Sequence, residues 1–132
     1  MTELEKLSAA FWAHVREYPL PEPCRVSFDP MRPEVDVQVN PSATAAHLSE
    51  LVLWGRTLHD VTVEWWHTTY GDLHIILRGN THGGARIRVY GGITFADCAG
   101  LIALTEDDSQ DVTLEELAAL RDLLRSAEEV AA

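Results

Sequence analysis

The chain has little of several things, and each scarcity excludes something. Only one lysine, Lys6, stands beside nine arginines, against twenty-one carboxylates, which leaves a formal net charge of −11 over 132 residues. Such a balance repels phosphate backbones and anionic bilayers, so nucleic acid and membrane are poor partners unless a local patch outweighs the long-range field. Two cysteines, Cys24 and Cys98, without a basic-then-apolar leader after Met1 read as free thiols of a cytoplasmic protein. No apolar run approaches the ~20 residues that cross a bilayer.

Motifs that carry chemistry are also missing. There is no H-E-x-x-H, no paired C-x-x-C, no G-x-S-x-G elbow, no phosphate-cradling loop and no dinucleotide fingerprint. The run Glu106–Asp111 lacks the central glycine and closing glutamate of a calcium loop, and reads as a solvated stretch ahead of a helix N-terminus. The six histidines are scattered over different predicted elements. The sequence therefore points to no metal, no cofactor and no catalytic residue. Gly79–Gly84, which contains His82-Gly83-Gly84, reads as a hairpin loop.

What the chain does have is patterning. Thr2 and Glu5 form a capping-box pair ahead of Leu4, Leu7, Phe11, Val15 and Tyr18 at helical spacing, predicting a helix over Glu3–Glu17. The prolines at 19, 21 and 23 stop it. Val26 and Phe28, then Val35, Val37 and Val39, alternate with polar residues and predict a hairpin whose first strand lies near a sheet edge. Asn40-Pro41 reads as the start of a second helix and Gly55 as its terminator. Val112, Thr113, Glu116 and Leu117 combine a hydrophobic staple with a capping box, predicting a last helix from Leu114 to about Val130.

The richest stretch is Val61–Tyr90. Val61, Val63 and Trp65, then Leu73, Ile75 and Leu77, then Ala85, Ile87 and Val89 alternate with polar or aromatic residues. Successive strand side chains point to opposite faces, so this is a three-stranded antiparallel meander with one buried face. Gly91-Gly92 reads as a bulge that interrupts the last strand, and Ala96–Leu104 as a short helix or an edge strand. The whole chain, 1–132, is then a single α+β domain. A mainly antiparallel five-stranded sheet packs against two or three helices in the order α-β-β-α-β-β-β-α.

The outer face of that meander is the candidate binding surface: Trp66, His74, Ile76, Arg86, Arg88 and Tyr90, with Arg78 beside them. Pairing His67 with Leu73 and Leu77 with Ala85 places Trp66, His74 and Arg88 in one cross-strand row. Glu64, Ile76 and Arg86 fall in the next, and Asp72 opposite Tyr90. Arg88 is then in reach of Trp66 or Tyr90 for a cation–π contact.

Three readings fit this face. Another part of the same chain covers it, making Trp66 and Ile76 core. It binds protein, most simply as a homodimer. Or it floors a small-ligand pocket or active site centred on His74, with Arg86 and Arg88 holding an anion. The leading expectation is a non-enzymatic interaction module, homodimeric or bound to another protein. A further reading makes the C-terminal carboxylates Asp107, Asp108 and Asp111 the working surface of an inhibitor that mimics nucleic acid.

Overall fold

A computed structural model describes residues 1–131. In chain order the elements are α1 (Glu3–Glu17), β1 (Arg25–Asp29), β2 (Glu34–Gln38), α2 (Thr44–Arg56), β3 (His59–His67), β4 (Asp72–Asn80), β5 (Arg86–Thr94), α3 (Phe95–Cys98), β6 (Ser109–Val112) and α4 (Leu114–Ala131). One six-stranded sheet has the order β1-β2-β5-β4-β3-β6. All neighbours are antiparallel except β2 and β5, which run parallel with Val35 beside Ile87 and Val37 beside Val89. The α+β class is as expected, but the sheet gains a strand and the helices number four.

The inward residues of the sheet meet the helices in one hydrophobic cluster. Val35, Leu73, Ile75, Leu77, Ile87 and Val89 are fully buried beneath Leu48, Leu51 and Trp54 of α2 and Leu117 of α4. Helices α1 to α4 all contribute side chains to this same cluster. They therefore lie on one side of the sheet, and the alternation that predicted the buried face selected the correct one. The capping boxes at both ends are formed. The Thr2 hydroxyl accepts the Glu5 amide at 3.1 Å, and the Thr113 hydroxyl accepts the Glu116 amide at 3.0 Å. Ala127 stands at helical spacing from the buried Leu117, Leu120 and Leu124 of α4, yet it is exposed.

Five expectations give way to tertiary contacts. Helix α2 begins at Thr44, not at Asn40-Pro41. The Asn40 side chain instead donates to the Glu22 carbonyl, while the amide of Ala45 is taken by a carboxylate from α4, Glu128 Oε1 at 3.2 Å. Gly55 does not end that helix; it is a buried residue of it, pressed against Leu77 and Leu114. Gly91-Gly92 is no bulge, because β5 runs through it in unbroken register with Leu73–Ile75 of β4. The irregularity sits in β3 between His59 and Thr62, where Asp60 adopts φ 54°. Finally, the stretch read as an acidic loop contains an edge strand: Gln110 pairs with Trp65 and Val112 with Val63.

The fifth correction concerns register. Leu77 pairs with Val89 and not with Ala85, a slip of four residues along β5. The predicted pairing of His67 with Leu73 is observed. A shift by an even number of residues preserves faces and changes rows, and so it does here.

Candidate functional site

The face opposite the helices is uncovered among the described residues. Its centre is the row Glu64–Ile76–Tyr90–Gln38, running across β3, β4, β5 and β2. One row away, Trp66 pairs with His74, which pairs with Gly92 rather than Arg88. On the other side Thr62, Arg78, Arg88 and Asp36 align, and beyond them Asn80, Arg86 and Glu34. Asp72 lies opposite Thr94, not Tyr90. Trp66 keeps 40% of its surface exposed and Ile76 is half-buried, so neither is core beneath another element of the chain.

The centre is held together by ring contacts. Trp66 meets His74 edge-on at 6.2 Å between centroids, and His74 lies 6.1 Å from Tyr90. The Arg88 guanidinium sits 4.8 Å above the Tyr90 ring. That cation–π contact stabilises by about 0.5–1 kcal/mol at such partial exposure. Arg88 also approaches Asp36 Oδ1 at 3.5 Å. His74 titrates below its ordinary range because burial disfavours its charged form; Arg88 adds to this and Asp72 opposes it. A neutral imidazole fits an apolar contact surface better than a cation does.

The residues singled out in the sequence thus share a face but not a site. Trp66, His74, Ile76 and Tyr90, with Arg88 above Tyr90, form the aromatic centre. Arg86 is separated from it: six residues along β5 part it from Gly92, the partner of His74, roughly 20 Å at ~3.3 Å per residue. A small recess of about 210 Å³ does open beside His74, bordered by Gln38, Tyr90, Gly91, Gly92 and His47, but no arginine lines it. Arg86 belongs instead to a polar groove of about 440 Å³ with Arg32, Glu34, Asp36, Arg78 and Arg88.

Two residues of this region escaped sequence reasoning. His47 looked like a scattered surface histidine, yet it is 3% exposed and makes two hydrogen bonds from α2. Arg32 stands in the β1–β2 turn, where the Asp29 carboxylate accepts the amides of Met31 and Arg32. A long-range contact leaves no local signal in either case. Among the other histidines, His14 bonds the Thr57 hydroxyl at 2.8 Å. His67 stacks on Phe95 at 3.6 Å and bonds the Leu104 carbonyl at 2.9 Å. Among the described residues no three His, Cys, Asp or Glu side chains converge as metal ligands, and no helix is long and apolar enough to cross a membrane.

Comparison of the chain with protein-family models, with curated proteins and with solved structures returned no match. Function must therefore be argued from the site.

Proposed function

We propose that the chain is a non-enzymatic interaction module that forms a two-fold homodimer through the outer face of its sheet. The observation that carries this is an uncovered sheet face whose aromatic centre lies between flanks of opposite charge. Its β3–β6 flank presents Glu64 and Asp111, paired across those strands. Its β5 side presents Arg88, with Arg78 opposite on β4.

A two-fold axis running along β4 between two stacked faces lays the acidic flank of one copy over the β5 side of the other, and the reverse. Isologous interfaces are self-complementary in this sense. Ile76 then meets its counterpart at the centre, while Trp66 faces Gly92 of the other copy and Tyr90 faces its Glu64. Trp, Tyr and Arg are the side chains that dominate such contacts. Size is of the right order. The three central strands are nine residues long. With ~3.3 Å rise and ~4.8 Å strand spacing, these and the shorter outer strands together span roughly 650 Å², somewhat under the ~800 Å² per partner of an ordinary stable interface.

Replacing Ile76 by Asp tests the reading, because the half-buried position tolerates a polar residue in the monomer but not at the centre of a dry interface. The variant is expected to retain its circular dichroism and lose half its mass in solution. Unchanged mass for this variant and for the double substitution Trp66→Ala, Arg88→Ala would refute it.

A further inference from the structure

The polar groove at the far end of the same face has a different chemistry from the aromatic centre. Arg78 and Arg88 lie directly opposite one another on β4 and β5, an arrangement that costs stability because like charges face across the strands. Arg86 follows two residues along, and Arg32 closes the groove from the β1–β2 turn. Four guanidinium groups therefore share about 440 Å³ with two carboxylates, Glu34 and Asp36.

Internal pairing does not satisfy them. Among the described residues the only ion pair within the groove is Arg88–Asp36 at 3.5 Å, and the buried Asp36 Oδ1 accepts no hydrogen bond there. Among the described residues, Arg32, Arg78 and Arg86 have no carboxylate within ion-pair distance. In a chain of net charge −11, an excess of two positive charges in one groove runs against the bulk field.

We infer that this groove binds a small soluble phosphate monoester. The formal excess of two charges is what one dianion balances, and a phosphate monoester carries about −1.5 to −2 at neutral pH. Guanidinium forks match phosphate oxygens two at a time, and here three of them stand on paired strands. A small ligand is favoured over a polyanion because the remaining carboxylates repel an extended phosphate surface. The assignment does not rest on the homodimer: Arg32 and Arg86 lie outside the dimer contacts named above, Arg78 and Arg88 are shared with its basic side, and binding is measured on the native chain and on Ile76→Asp alike.

Titration of the full chain with glycerol 3-phosphate, by calorimetry at fixed ionic strength in chloride, provides the test. One saturable site per chain is expected. Arg78→Ala and Arg86→Gln are each expected to weaken binding at least tenfold. Arg16→Ala, on α1, leaves it unchanged. Asp36→Asn removes the competing internal carboxylate and is expected to tighten binding several-fold, an effect that a purely structural Arg88–Asp36 pair would not produce. Absence of saturable binding, or native affinity in Arg86→Gln with native circular dichroism, would overturn the assignment. Sedimentation with phosphatidic acid vesicles in the absence of monoester binding would do the same, by moving the phosphate from a free ligand to a membrane.

Discussion

His47 Nε2 accepts the amide hydrogen of Gly92 at 3.1 Å, while its Nδ1–H donates to the Asn40 carbonyl at 2.9 Å. The bond closes a gap in the sheet. Strand β2 accompanies β5 as far as Gln38 and Tyr90, with one more bond from the Val39 amide to the Tyr90 carbonyl, and then departs toward α2. Beyond that point the Gly92 amide has lost its neighbouring strand, and the histidine stands in for it. The imidazole fits only because residue 91 has no side chain: a β-carbon there would overlap Nε2.

Removing the imidazole strands a donor, which costs ~1–3 kcal/mol for the unpaired group, and empties buried volume besides. His47→Ala is expected to lower unfolding free energy by about 2–4 kcal/mol in urea denaturation. Gly91→Ala is expected to destabilise as well, through overlap with the ring, and combining it with His47→Ala should recover part of that loss. Strict additivity of the two would contradict the contact.

The helix termini give smaller and separable effects. Thr113→Ala removes the hydroxyl that caps α4 and is expected to cost about 1 kcal/mol. Glu128→Ala removes the carboxylate that receives the Ala45 amide across the α2–α4 contact and is expected to cost about 0.5–1 kcal/mol, more at low salt. In a domain of this size each is read as a fall in melting temperature of roughly 2–5 °C.

His14 sets a pH dependence. Buried on α1, with its Nε2–H directed to the Thr57 hydroxyl, it titrates below its ordinary value of 6.5, chiefly through desolvation; Glu17 opposes the shift and His59 adds to it. A histidine with a lowered folded value binds protons more readily when unfolded. Its contribution is therefore complete above pH 6.5 and is lost as pH falls through the folded value. Stability of the native chain should decline on that acid side, and His14→Gln should flatten the decline. An unchanged slope would contradict the assignment.

The thiols should separate by rate. Cys98 is buried, donates to the Phe95 carbonyl at 3.3 Å, and is pushed up to about 11 by desolvation. Cys24 is exposed and free. One thiol per chain is expected to react promptly with an aromatic disulfide reagent at pH 8, the second only on unfolding.

What the sequence disclosed and what it concealed divide along a physical line. Local periodicity specified the inward residues from Val26 to Val89 and the two capping boxes, because those depend on neighbours within a few positions. Glycines misled. Gly79 lies inside β4, where a β-carbon would crowd Leu58, and Gly91 lies inside β5 against His47. Both serve a close approach from a distant helix or loop, yet locally they resemble turn residues, which shortened β4 and displaced the register with β5 by four. Ser109–Val112 lacks the alternation of a strand, since as an edge strand it has one buried position, Val112. On the candidate face, membership was legible from alternation, while the split between an aromatic centre and an arginine groove depended on that register.

The homodimer is tested most directly by sedimentation equilibrium of the native chain over a hundredfold range of concentration around 10 µM. The expected result is twice the 14.7 kDa mass of the chain, dissociating with Ile76→Asp. A mass of 14.7 kDa at every concentration would contradict it.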